Sequence, residues 1–462
     1  MDILIALCIA SLCCAFAGVR NGAYGLYFVS FVPFISLSAV EGGLTSTAGL
    51  GGDNVLFKLC LRAVCTLGFL VLLARSKQSH AYLFRTTSLP VLALVGWALA
   101  WILRSQSPWV SLFRLLELFS FFLGGVALWV EVGRFQSLRT LLRWHCLALW
   151  TLPLLAIWFA FMRPDLAQHT DNAELTRWGH KLLNANSLGF ACTIVSLWAT
   201  SELRTAWDPK RRTQESWKTR ILPMVPLLVC VGVLLMARSR TAMLTLSLGQ
   251  AILWWPRGAI SLRHIRFAVS ILLVGTLLVW QRESVQTWML RGESVEALAS
   301  ATGRTDLWSD LLADQVPRLP VAGAGYLMLS EAGGFWHAGR VWTNAHNTYL
   351  FALVSAGVVG LALVLTIVAL AWWTSFRLAR EWRAADAGAR TLLFALQSVL
   401  LATSITGFGV FGFPNPAMFL FYSMYVLVLA YKNPAAHHGS VVADPKPSRF
   451  AAHHHPMHPS LP

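Results

Sequence analysis

Acidic residues are scarce in this chain. Its 462 residues include 21 Asp and Glu against 37 Lys and Arg, and charged residues of both signs make up only 13%. A soluble domain carries about 25%. A water-soluble enzyme of several domains, which the length alone would invite, is thereby excluded. A disulfide framework is lacking too. The eight cysteines (Cys8, Cys13, Cys14, Cys60, Cys65, Cys146, Cys192 and Cys230) all fall in apolar stretches and read as small packing residues. Nucleotide, zinc-protease, redox and serine-hydrolase chemistry lack their usual marks: there is no Walker A motif, no HExxH, no CxxC pair and no GxSxG.

What is present is apolar length. Hydrophobic residues make up 56% of the chain, and a bilayer crossing needs about 20 of them in a row. Such stretches lie at 55–74, 89–104, 112–130, 141–162, 183–200, 222–237, 241–255, 265–280, 346–374, 391–406 and 417–431. The first 40 residues are apolar but interrupted by Gly18-Val19-Arg20-Asn21-Gly22, which leaves one broken crossing or a hairpin of two. One broken crossing gives twelve helices with both termini on one side.

The cations orient them. Alternate loops hold Arg75, Lys77 and Arg85; Arg134, Arg139 and Arg143; Arg204, Lys210, Arg211, Arg212, Lys218 and Arg220; Arg257, Arg263 and Arg266; Arg377, Arg380, Arg383 and Arg390; and Lys432, Lys446 and Arg449. These 22 face ten on the opposite side, so the cation-rich side is expected to be cytoplasmic. Most of the net charge of +16 is then topology, and nucleic acid is not needed as a partner. The expected architecture is an all-α polytopic membrane protein. It divides into N-terminal transmembrane helices (1–280), a large outer loop with amphipathic helices (281–345), C-terminal transmembrane helices (346–431) and a disordered cytoplasmic tail (432–462) rich in Pro and His.

The outer side holds the distinctive polar groups. A loop at 163–182 carries Arg177, His180 and Lys181. The corner Arg238-Ser239-Arg240 has almost no loop between two crossings. Its arginines either snorkel to lipid phosphate or face a cavity and grip an anion with their rigid forks. In the 65-residue loop, Glu283–Arg291 reads as helical, Gly303-Arg304-Thr305-Asp306-Leu307-Trp308 opens another helix, and Val321–Tyr326 is a glycine turn. No Asp-Asp or Asp-x-Asp pair stands on this side. A diphosphate site built from arginines, with no metal and no cofactor, suits that inventory.

His346-Asn347, nine residues, then Gly357-Val358-Val359-Gly360 matches the H-[NSQ]-x9-G-x-x-[GTY] signature of bacterial O-antigen ligases. Ser239-Arg240-Thr241-Ala242, Gly303–Trp308 and Asn184-Ala185-Asn186-Ser187-Leu188-Gly189 follow the family's order. Many relatives have Asn-Pro-Asn where this chain has Asn-Ala-Asn. The chain resembles the O-antigen ligase superfamily over about 55–431.

The resemblance implies a GT-C-like glycosyltransferase in the inner membrane of a Gram-negative bacterium. It would move a preassembled glycan from undecaprenyl diphosphate to lipid A–core at the periplasmic face, inverting the anomeric carbon. His346 would be the base, since a histidine titrates near pH 6.5. Arg240 and Arg304 would clamp the diphosphate with Arg238 assisting. Asn347 would orient His346 or the substrate, while Asn186, Arg177, His180 and Lys181 are further substrate-binding candidates. The expected partners are the lipid-linked glycan, the lipid A–core acceptor and membrane lipids. O-antigen polymerases and protein O-oligosaccharyltransferases share this machinery and stay open as alternatives. A lipid-linked-sugar transporter is a weaker alternative, because no internal repeat is visible.

Overall fold

The computed structural model describes residues 66–74, 88–105, 108–135, 138–164, 168–170, 176–179, 185–207, 221–255, 283, 304–318, 320–325, 335–337, 340–342, 345–381, 387–407, 410–411 and 416–431. After a helical stretch over 66–74, the helices are α1 (Leu89–Ala100), α2 (Pro108–Phe135), α3 (Leu138–Met162), α4 (Ala185–Ala206), α5 (Met224–Ala237), α6 (Arg240–Trp254), α7 (Arg304–Asp310), α8 (Thr348–Arg380), α9 (Ala387–Thr406) and α10 (Pro416–Tyr431). Ten of the stretches read as crossings hold helices, the 55–74 stretch over its described part, 66–74. The ones over 1–40 and 265–280 lie outside the described residues, as do His180, Lys181, the helical reading from 284 onward and the tail from 432.

The chain is a helical membrane protein. Helices α3, α8 and α9 are long and apolar enough to cross a bilayer. Large apolar side chains such as Leu103, Phe161 and Leu244 face outward at 70% exposure or more, which lipid tolerates and water does not. One departure from the all-α expectation is small. Two antiparallel hairpins, β1 (Gln168–Thr170) with β2 (Thr176–Trp178) and β3 (Phe335–His337) with β4 (Arg340–Trp342), occur within the two longer loops. Three-residue strands carry too little alternation to announce themselves in a sequence.

Helix α4 is the centre of the bundle, packed on α3, α5 and α6, while α9 joins α6 to α8 and α10 lies on α2. Small residues permit these approaches: a Cβ on Gly249 would come within 2.6 Å of Leu197, and one on Gly125 within 2.8 Å of the Tyr422 carbonyl. Polar contacts define the two ends. At one, Arg139 donates to both Glu202 carboxylate oxygens at 3.0 and 2.5 Å, Arg390 pairs with Glu381, and Arg204 lies 5.1 Å from the Trp254 ring centre. These join the start of α3 to the end of α4, the end of α8 to the start of α9, and the ends of α4 and α6. The opposite end gathers the remaining termini of α4, α6, α8 and α9 together with the sequence motifs.

Candidate active site

The corner between α5 and α6 is built by two motifs pressed together. Arg238 caps α5 in a left-handed conformation (φ 49°, ψ 38°), its N–H donating to the Leu234 and Leu235 carbonyls. A helix ending this way ordinarily uses glycine. Ser239 is buried and its hydroxyl donates to Asn186 Oδ1 at 3.2 Å. Gly189 leaves room for this approach, since a Cβ there would stand 2.8 Å from Ser239 and from Ala242. Thr193 closes the contact by donating to the Gly189 and Ala242 carbonyls, each at 3.0 Å. Asn186 therefore uses its side-chain carbonyl to fix the corner that carries Arg238 and Arg240. Guanidinium nitrogens of both arginines, Nη1 of Arg238 and Nε of Arg240, are shielded from solvent. Strand β2, which contains Arg177, packs against α5, and the hairpin is tied to α3 by Gln168 donating to the Ala160 carbonyl at 3.0 Å.

The second corner precedes α8. His346 also has positive φ (49°). Among the described residues, Arg238 and His346 are the only non-glycine residues in that region. Such a conformation costs about 1–3 kcal/mol and persists only where the surroundings enforce it, most often at functional sites. Asn347 enforces one side. Its Oδ1 accepts from the Tyr349 and Leu350 N–H groups at 2.9 and 3.0 Å, capping α8. The side-chain cap of α8 is supplied by Asn347.

The two corners meet at Thr406-Gly407, the end of α9. Arg304 Nη1 donates to the Thr406 carbonyl at 3.0 Å, Thr348 Oγ1 donates to the Gly407 carbonyl at 3.0 Å, and the Thr406 hydroxyl donates to Thr241 Oγ1 at 3.2 Å. From the same helix as Arg304, Trp308 Nε1 donates to the Ala345 carbonyl at 2.7 Å. The residues beside Arg240, Arg304 and His346 are thus bonded to one another or to one two-residue hub. Thr406, Gly407 and Trp308 were not singled out from the sequence as site residues. A Thr-Gly closing an apolar run does, however, resemble a helix C-terminal signal.

Helix α8 is broken, and the break explains the two glycines of the signature. Gly357 takes φ 67°, ψ −170°, a region essentially reserved for glycine. Carbonyls freed by the break accept from other donors: Ala324 N–H donates to Val354 O (2.8 Å), Gly325 N–H to Ser355 O (3.0 Å) and Trp97 Nε1 of α1 to Ala356 O (2.9 Å). In return Val358 N–H donates to Pro320 O at 2.9 Å. The Pro320–Gly325 turn is thus a plug seated in the kink. A Cβ on Gly357 would lie 2.1 Å from the Val321 carbonyl oxygen, and one on Gly360 would overlap the Ala356 methyl at 2.1 Å. Non-helical backbone at a membrane helix survives only when protein satisfies it this way. The part after the break, 358–380, is about 34 Å long at 1.5 Å per residue, enough for a hydrocarbon core of about 30 Å. The half-helix 348–356 is left to present its capped start at the motif end.

Electrostatics follow from these placements. Arg240 is the first residue of α6, and no acidic residue stands in the first turn of α6 or of α8. Helix N-termini carry partial positive charge and favour anions, so an arginine there is opposed by the dipole unless an anion is also present. Arg238 and Arg304 add positive charge at the same end of the bundle, and His346 stands there in a left-handed conformation.

No curated protein matches the chain. A family model described as O-antigen ligase matches residues 225–365, a segment that holds α5, α6, the Arg304 helix, the plug, His346 and both signature glycines. Asn186, Trp97 and the Thr406-Gly407 hub complete the arrangement from outside that segment. The match over residues 225–365 supports the resemblance to the O-antigen ligase family read from the sequence.

Proposed function

We propose that this protein transfers a preassembled glycan from undecaprenyl diphosphate to the lipid A–core oligosaccharide, at the periplasmic face of a Gram-negative inner membrane. The observation that carries the reading is the linkage of Arg304, the Arg238–Arg240 corner and the strained His346 through Thr406-Gly407. It supports a reading in which anion-binding groups and a base share one end of the bundle. The acceptor hydroxyl gives its proton to His346 as its oxygen attacks the anomeric carbon. The bond from that carbon to the diphosphate oxygen breaks, and undecaprenyl diphosphate leaves with its added charge held by Arg240 and Arg304, assisted by Arg238. One displacement inverts the anomeric centre. A diphosphate leaves as a weak base, so charge stabilisation replaces a general acid, and the reaction is read as metal-independent with no cofactor.

The test is transfer by purified protein with undecaprenyl diphosphate–glycan, EDTA, and either lipid A–core or a peptide as acceptor. Product on lipid A–core is expected. His346→Ala, at normal membrane levels, is expected to lower the rate by about 10²–10⁴-fold, the range for losing a general base. Wild-type transfer by that variant overturns the base assignment. Product on the peptide alone would favour protein glycosylation, and movement of the glycan-lipid with no covalent product would favour transport. A deletion strain that keeps long lipid-linked chains but lacks polymer on lipopolysaccharide supports ligation; loss of chain length itself would favour a polymerase.

A further inference from the structure

Trp308 reaches the backbone immediately before His346. Its indole N–H donates to the Ala345 carbonyl at 2.7 Å, and Ala345 is fully buried. His346 is thereby held from both sides: Asn347 caps the helix that follows, and Trp308 holds the carbonyl that precedes. Four residues earlier on the same helix face, Arg304 is bonded to Thr406 O. The helix itself is anchored, because Leu307 and the following Leu311 are buried in the core.

We propose that Trp308 is a positioning residue that sets His346 against Arg304. A single turn of helix carries the guanidinium at one end and, at the other, the donor that fixes where the imidazole begins. The inference rests on the reading of His346 as the base. Without the indole donor, Ala345 can rotate and His346 can relax toward an ordinary right-handed conformation. The base then loses its aim while the cations that receive the diphosphate keep theirs. The loss appears in kcat and not in donor affinity.

Trp308→Phe keeps an aromatic ring and removes the donor. We expect kcat for transfer to fall about tenfold or more, the scale of one buried hydrogen bond, with KM for undecaprenyl diphosphate–glycan changed by less than about threefold. A positioning role makes one further demand, which simple loss of packing does not. In a His346→Ala background the Trp308→Phe change should have no additional effect on residual transfer, because the group it positions is gone. If the phenylalanine variant does not accumulate, benzothienylalanine at 308, which replaces only the N–H by sulfur, gives the same comparison. Additive losses in the double variant, or a raised KM at unchanged kcat, overturn the proposal. So does full activity without the donor when His346→Ala is inactive, which leaves the base reading standing. Full activity of His346→Ala overturns the base reading and the proposal with it.

Discussion

The two ends of the bundle are held together by different means. At the basic end, helix termini are joined side chain to side chain, by Arg139 with Glu202, Arg390 with Glu381, and Arg204 on Trp254. At the motif end, side chains and loop amides bond to backbone left without helical partners: Arg304 to Thr406 O, Trp308 to Ala345 O, Trp97 to Ala356 O, and the Pro320–Gly325 plug to Val354, Ser355 and Val358. Side-chain pairs on a rim can be lost with little consequence. Backbone groups inside a membrane protein cannot be left without partners. The motif end should therefore be the intolerant one, and it also holds the two strained non-glycine residues found among the described residues, Arg238 and His346.

The largest expected effect tests the plug. Gly357→Ala would place a methyl 2.1 Å from Val321 O in a backbone region that alanine avoids. It should cost about 3 kcal/mol or more, seen as a lower thermal midpoint in detergent, and abolish transfer. Retained activity with unchanged melting would mean that the plug is dispensable and that the two ends do not differ as described.

This prediction also marks what the sequence made legible. Hydropathy located most of the described helices because lipid imposes one simple requirement on a crossing, and Arg304 with the neighbours of Arg240 and His346 bonds to one hub in the fold. The break at Gly357 was hidden because 346–374 is apolar throughout. Its cause lies more than thirty residues upstream, in backbone atoms of a glycine turn, and in Trp97 of α1. Backbone complementarity between distant segments leaves no periodicity to read. Asn347 shows another limit. An Asn directly before an apolar helical run is an N-cap signal, yet beside a histidine in a family signature it reads as a catalytic partner.

Asn347 gives the next smaller effect. Asn347→Ala should destabilise by about 1 kcal/mol through loss of the cap and reduce transfer by loosening His346. Asn347→Asp keeps an acceptor for the Tyr349 and Leu350 N–H groups, so it should recover both the melting temperature and most of the activity. If Asp restores the melt but not the rate, Asn347 has a second role toward substrate, and the motif end is more crowded with chemistry than its hydrogen bonds alone reveal.

At the basic end the same class of experiment should give little. Arg139→Ala removes both hydrogen bonds to Glu202, but the arginine side chain is 42% exposed. The loss should stay within about 0–1 kcal/mol, with transfer per folded molecule unchanged. A fall in specific activity without a matching fall in stability would show that the basic end communicates with the site.

The smallest effect should have the opposite sign. Gly388, near the start of α9, has Thr205 Oγ1 at 3.7 Å as the nearest atom to an added Cβ, an ordinary contact. Gly388→Ala should stabilise by about 0.4–1 kcal/mol by narrowing the unfolded ensemble, and transfer should not change. Helix α9 ends at Thr406, whose carbonyl accepts from Arg304 and whose hydroxyl donates to Thr241, so the substitution stiffens the start of the helix whose end carries the hub. Unchanged transfer with a higher melting temperature would mean the hub is fixed locally by its own hydrogen bonds. Reduced transfer would instead mean that α9 must move as a unit during turnover, and the contrast between the ends would become one of motion as well as of bonding.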